Sequence, residues 1–293
     1  MSGRVLVGLI GANIMSSLAP ALFGDACAAA GIDGYYHLLD VDRLRERRLP
    51  QLLDSLKTAG FAGANITYPF KQDIIPLLDV IDPEAAEVGA INTVAIGPDG
   101  RTTGYNFDRA GWRNSFLESF GRRSAEGATV VLVGAGGAGH AVAAALMDLG
   151  VAELVIHDLD ASRAGSLCKN LIMRHGAVRC RVARDLERDI AAADGVVNAT
   201  QTGMRGFPGN PVPVAALKAA HWCADVIYTP IETEFLKAAK AKGARTLAGG
   251  GMTVHQAVEV FRQFTGVTPD VARLHRAFAT ALAVRDAAAV PGR

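Results

Sequence analysis

The chain has 293 residues, half of them hydrophobic and 20% charged, which is too long for one small domain and too apolar for disorder. Thirty Lys and Arg against 29 Asp and Glu leave a net charge of +1, so no molecule-wide field exists to hold a phosphate polymer or an anionic membrane surface. The longest uncharged apolar stretch, residues 128–139, carries four glycines and is too short to cross a bilayer. Nothing at the N-terminus reads as a cleavable leader, so the expected location is cytoplasmic, with a small-molecule partner and a monomeric or homodimeric state.

From Val5 onward, short β-branched or aliphatic runs alternate with amphipathic stretches of helical length, the pattern of an α/β fold with a mostly parallel sheet. The spacing predicts strands at Val5–Ile10, Tyr35–Leu39, Ala64–Thr67 and Asn92–Ile96, with helices near Leu18–Ala30, Asp42–Ala59 and Lys71–Leu78 between them. Pro98–Arg101, P-D-G-R, reads as the turn of a hairpin. A helix follows from Asp108 through Trp112 and Phe116, and the polar run 121–127 reads as surface linker. Further strands are predicted at Thr129–Val133, Leu154–His157, Arg179–Val182, Gly195–Asn198 and Ala224–Ile227, alternating with helices as in a doubly wound nucleotide domain. The expected division is a substrate-binding domain over residues 1–110, joined by helices from 253–293 packing back on it, and a nucleotide domain over 111–252. The Ala-rich tail Ala277–Ala289 reads as helix, fraying at Pro291 and Gly292.

Four cysteines, Cys27, Cys168, Cys180 and Cys223, fit neither a zinc pattern nor a disulfide scaffold and read as reduced core thiols. The seven histidines show no metal-ligand spacing, and no metal site is expected.

The most informative segment is V-V-L-V-G-A-G-G-A-G-H, with Gly134, Gly136 and Gly139 in G-x-G-x-x-G register between a strand and a helix. In such a loop the first glycine allows a tight turn, the second admits a pyrophosphate, and the third lets helix and strand pack closely. Ala135, Gly137 and Ala138 complete the loop, and the next strand runs to Asp158, where a ribose-binding acid belongs. Its carboxylate suits the 2′-hydroxyl of NAD and repels the 2′-phosphate of NADP, so the expected cofactor is NAD. Arg163 is the one nearby cation, a cofactor contact or a solvated helix-face residue.

Three polar clusters fall at predicted strand ends: Asn65-Ile66-Thr67-Tyr68-Pro69-Phe70-Lys71, Gly89-Ala90-Ile91-Asn92-Thr93 and Gly104-Tyr105-Asn106-Phe107-Asp108. A Lys and an Asp facing one carbinol could shuttle its proton while nicotinamide takes the hydride, although an isolated Lys near a helix start is more often simply solvated. Together with G-A-G-G-A-G at 134–139, N-A-T-Q-T-G-M at 198–204 and H-Q-A at 255–257, these segments resemble the shikimate dehydrogenase family over nearly the whole chain, closest to its NAD-preferring quinate/shikimate dehydrogenases. The resemblance implies reversible oxidation of a ring hydroxyl on a cyclohexane or cyclohexene carboxylate, between a substrate domain and a nucleotide domain. It implies Lys71 and Asp108 as the proton-transfer pair, with Asn92, Thr67 and Gln256 on ring hydroxyls. It further implies Ser17 and Tyr228 toward the carboxylate, and Ile227 and Gly251 toward the nicotinamide.

The chain departs from the family in its first loop, which reads Ser17-Leu18-Ala19-Pro20 where S-x-S-P or S-x-T-P is usual, so one carboxylate donor is missing. Phe107 and Gln201 are smaller departures, from N-T-D and from the Pro that commonly follows N-A-T. The altered loop keeps open a same-fold dehydrogenase for another ring polyol or an amino-substituted ring acid. A non-catalytic nucleotide sensor is the reading from another class, disfavoured by the retained Lys, Asp, Asn and Gln.

Overall fold

A computed structural model of the chain describes residues 4–45, 48–176 and 179–288. The starting Met1–Gly3, and the tail positions Ala289, Pro291 and Gly292, therefore lie outside the described residues. The chain divides into two compact units, one from Met1–Phe107 with Val254–Arg293, the other from Asp108–Thr253.

The first unit opens with strand β1 (Val5–Gly11), helix α1 (Ala19–Ala30), β2 (Gly34–Asp40), α2 (Leu49–Thr58) and β3 (Gly63–Ile66). It continues with β4 (Val80–Ile81), α3 (Pro83–Val88), β5 (Thr93–Ile96) and β6 (Thr102–Tyr105). These strands form one sheet in the order β2-β1-β3-β5-β6-β4. β1 pairs in parallel with β2 and β3, whereas β5 runs antiparallel to β3 and to β6, closing the hairpin expected around Pro98–Arg101. The apolar face of α2, Leu49, Leu52, Leu53 and Leu56, is buried at the spacing of one helix stripe, in a core with Ile10, Ile66 and Val94.

The second unit contains α4 (Asp108–Phe120), β7 (Thr129–Val133), α5 (Gly137–Leu149), β8 (Glu153–His157), α6 (Ala161–His175), β9 (Arg179–Val182) and α7 (Leu186–Ala192). After these come β10 (Gly195–Asn198), β11 (Trp222–Asp225), α8 (Glu234–Ala241) and β12 (Arg245–Leu247). The next helix, α9 (Gly250–Thr265), begins in this unit and runs into the first, where α10 (Val271–Ala288) follows. The sheet is parallel throughout, in the order β12-β11-β10-β7-β8-β9. Numbered within the unit this is the doubly wound order 3-2-1-4-5-6 read from the other edge, and the order reverses between β7 and β10. Ligands of such sheets sit beyond the strand ends at that reversal. The buried Ala-rich face of α5 packs on β7, and Phe116 meets Trp222 edge-on at 4.9 Å between ring centres.

Three expected elements differ from those observed. The helix expected over Asp42–Ala59 begins only at Leu49, with Pro50 in its first turn, where its missing N–H costs nothing. No α-helix forms over Lys71–Leu78; the segment turns and makes one short 3-10 helix, Ile75–Leu77, because Pro76 lacks the N–H that a continuing helix needs. The strand expected at Ala224–Ile227 is Trp222–Asp225, since the Asp225 carboxylate takes the Ile227 N–H at 3.0 Å and turns the chain off the sheet. The short β4, α3 and β12 were not expected. Among the described residues no helix is long and apolar enough to cross a membrane.

Candidate active site

In the first unit, the candidate substrate residues sit where the chain leaves the sheet. Thr67 follows β3, and its N–H continues the pairing to Ile10 O at 3.0 Å. Lys71 is half-buried one turn later, its carbonyl accepting the Ile91 N–H at 2.7 Å, which ties this segment to the start of β5.

Asn92, immediately before β5, is the most constrained of the set and is 1% exposed. Its Oδ1 accepts from the Thr93 hydroxyl at 2.9 Å and from the Phe107 N–H at 3.0 Å. Its Nδ2 is buried with no hydrogen-bond partner among the described residues. A buried amide donor left unmade costs about 1–3 kcal/mol, so a polar group arriving there gains a bond without displacing one. Asp108 follows Phe107 directly and is buried as the first residue of α4. Gln256 is half-buried on α9.

The loop bearing Ser17 is shaped by Asp40 at the end of β2. That carboxylate accepts the backbone N–H groups of Asn13, Ile14 and Asp42, each at 3.1 Å. The Ser17 hydroxyl oxygen accepts the Ala19 N–H at 3.3 Å, so its own proton remains the donor this loop offers. Ser16 is exposed, and Ala19 presents a methyl group where the S-x-S-P or S-x-T-P pattern has a second hydroxyl.

In the second unit, the glycine loop leaves β7 as the motif requires. Gly134 has φ +106°, and a Cβ there would lie 2.9 Å from the Ala199 backbone. A Cβ on Gly139 would lie 2.0 Å from Gly134 O, so α5 approaches its strand only because this residue lacks one. Gly136 has nothing within 4 Å of its missing Cβ, which leaves the backbone face open where a pyrophosphate would approach. Asp158 lies one residue past β8, its carboxylate held by the N–H groups of Ala135 at 2.7 Å and Asp160 at 2.9 Å. Arg163 is exposed and lies 3.7 Å from Asp160, as an i,i+3 helix-face pair. Gly251 is needed for packing as well, because a Cβ there would come within 2.2 Å of Ser115 Oγ.

Asp225, at the end of β11, is a residue that sequence reasoning missed. It is 1% exposed and accepts from Ile227 N–H, from Asn198 Nδ2 at 3.1 Å and from the Thr233 hydroxyl at 2.8 Å. Burial pushes its carboxyl up to about 6 against those three bonds. The network fixes the backbone of Ile227, which is buried, while Tyr228 beside it is half-buried. Asn198 Oδ1 also accepts from the Thr200 N–H at 3.0 Å, holding the N-A-T-Q-T-G-M segment in place.

Three orienting residues in the first unit, Tyr36, Asn65 and Thr93, were missed as well. The Tyr36 hydroxyl donates to Asn65 Oδ1 at 2.7 Å, and Asn65 Nδ2 donates to Thr93 Oγ1 at 2.8 Å. Thr93 in turn donates to Asn92, so this relay fixes which face of the Asn92 amide is left open. The Asn65 and Thr93 side chains were visible as polar positions in strands, whereas Tyr36 gave no signal beyond an aromatic at a strand position.

The chain matches two family models, the shikimate dehydrogenase substrate binding domain over residues 9–94 and shikimate / quinate 5-dehydrogenase over residues 117–205. It is 47% identical to the quinate/shikimate dehydrogenase (NAD(+)) of Corynebacterium efficiens, covering 94% of this chain and 97% of that one. It is 43% identical to the shikimate dehydrogenase (NADP(+)) of Streptomyces avermitilis, over 92% of this chain and 93% of that one. Among solved structures, quinate dehydrogenase from Corynebacterium glutamicum in complex with NAD superposes with a TM-score of 0.88 at 43% identity, covering 95% of this chain and all of that one.

Proposed function

The chain belongs to the shikimate dehydrogenase family, and on that footing we propose that it is an NAD-dependent oxidoreductase interconverting quinate, shikimate or both with their 3-dehydro ketones. The observation that carries the reading is the buried, unpartnered Asn92 Nδ2, a fixed donor that a ring hydroxyl satisfies. Oxidation of a carbinol removes a hydride from carbon and a proton from oxygen, and NAD supplies the hydride acceptor when bound. Lys71 and Asp108 are the groups proposed to receive and pass on that proton. Asn92, Thr67 and Gln256 hold the ring hydroxyls, while the Ser17 proton and Tyr228 address the carboxylate.

The second unit suits the nucleotide without adjustment. Gly136 leaves room for the pyrophosphate, the start of α5 favours its charge, and Asp158 offers acceptors to the ribose hydroxyls. Ile227 and Gly251 are the proposed contacts toward the nicotinamide. Arg163, facing Asp160, contributes at most to the adenosine side. The near-neutral charge argues against a nucleic-acid or membrane partner, and the proposed setting is a cytoplasmic enzyme with a small-molecule substrate, working as monomer or homodimer. Ala19 favours a second reading at the level of substrate, in which another ring polyol or an amino-substituted ring acid is preferred.

The test is initial-rate nicotinamide reduction with quinate and with shikimate, each offered NAD and NADP. Turnover with NAD, falling by about two to four decades in Lys71→Ala while NAD affinity holds, is the expected result. Absence of turnover with either acid, despite NAD binding, would refute the assignment, and an unchanged rate in the variant would remove Lys71 from the chemistry.

A further inference from the structure

Cys168 and Cys180 are twelve positions apart in the sequence, yet their sulfurs lie 2.9 Å from one another. Cys168 is on the buried face of α6 with Leu167 and Leu171, and Cys180 is on β9, where it pairs with Leu154 of β8. A disulfide requires the sulfurs to close to about 2.05 Å, a small further movement. β9 is the edge strand of its sheet, and Cys180 is half-buried there, so a small oxidant enters beside it to reach the sulfur pair.

We infer that Cys168 and Cys180 form a redox-active dithiol, which a two-electron oxidant of the peroxide class converts to an intramolecular disulfide tying α6 to the edge strand. The step balances with hydrogen peroxide. The Cys168 sulfur, whose thiol the bond from Cys180 holds low, attacks one peroxide oxygen, the O–O bond breaks, and sulfenic acid and one water result. The Cys180 sulfur then displaces hydroxide from the Cys168 sulfur; the departing hydroxide takes the Cys180 proton and leaves as a second water. Two thiols lose two electrons and two protons, and the peroxide gains both. The S–H of Cys180, donated to Cys168 Sγ, holds the Cys168 thiol below its usual value and prepares it as the attacking sulfur. The other two cysteines differ from Cys168 in acidity: burial pushes the Cys223 thiol up to about 12 and raises that of Cys27.

The experiment exposes the full-length reduced protein to hydrogen peroxide, counts thiols after denaturation, and maps a non-reducing digest. The expected result is a fall from four thiols to two, one linked peptide pair carrying Cys168 and Cys180, and full reversal by dithiothreitol. The oxidised form should also melt higher by roughly 5 °C, since a loop of this length is removed from the unfolded ensemble. In Cys168→Ser no linked peptide forms. Loss of Cys27 or Cys223 instead, over-oxidation of Cys168 without a link, a link between chains, or an unchanged melting temperature in the linked form would each overturn the inference. None of these readouts involves turnover, so the outcome is independent of the proposed dehydrogenase activity.

Discussion

Replacing Asp158 by Ser should collapse the discrimination between NAD and NADP. The carboxylate is pinned by two backbone donors, Ala135 N–H at 2.7 Å and Asp160 N–H at 2.9 Å, so it cannot swing away from a 2′-phosphate. The nearest cation, Arg163, already faces Asp160 at 3.7 Å. One unit of like charge at ~4 Å costs from about 1 kcal/mol in water to about 4 at an effective dielectric of about 20, or one to three decades in affinity. Serine removes that repulsion and also frees the two N–H groups to face the phosphate. Losing charge-assisted bonds to the ribose, worth roughly 1.5–3 kcal/mol, should lower kcat/KM for NAD by about one to two decades. The assay is kcat/KM for both nucleotides at two salt concentrations, because the repulsive part is screened over about 8–10 Å. A ratio of the two kcat/KM values that moves less than about threefold would refute the assignment of Asp158 to the ribose.

Asn92→Asp keeps the bonds that Oδ1 makes to Thr93 and Phe107 but turns the open donor into an acceptor; kcat/KM for the ring acid should fall roughly 10–100-fold with KM for NAD unchanged, measured by initial rates. The glycine loop separates folding from binding: Gly139→Ala should lower the melting temperature sharply by forcing a Cβ against Gly134 O, whereas Gly136→Ala should fold normally and weaken NAD in titration. For Asp225, the raised folded value means that the native state binds the extra proton between about pH 4 and 6, so stability is lost as pH rises through that window. The loss comes to roughly 3 kcal/mol from this group. Asp225→Asn, with the Thr233 hydroxyl turned to accept, should flatten the difference in urea-unfolding free energy between pH 4.5 and 7.

Residues whose role is a local steric or chemical demand were legible before the fold was known. Gly139 is required by its contact with Gly134 close by in the chain and Gly134 by its own φ of +106°, and β7 and β10 read correctly because buried parallel strands are continuous apolar runs between glycines and polar turns. β4 escaped because a two-residue strand has no periodicity of its own and exists only through its pairing with Thr103 and Gly104. The premature end of β11 escaped because it depends on how Asp225 uses its carboxylate, not on the apolar run that continues through Ile227.

The site divides along the same line. Asn92 was visible as a polar residue at a strand start, but what makes it a candidate binding group is an absence among the described residues, the missing partner of Nδ2, and an absence belongs to the assembled sheet. It is produced by Tyr36 and Asn65, 29 residues apart and on strands separated by β1, whose bond passes orientation through Thr93 to the amide. Cys168 and Cys180 escaped for the same kind of reason, since their sulfurs meet only when the phase of α6 and the register of β9 are both set. Motif spacing therefore nominates the candidate ligand groups, while their orientation rests on bonds between residues far apart in the chain. It follows that a change at Tyr36, which is not among the proposed ligand contacts, acts on the substrate site through Asn92 rather than through binding of its own.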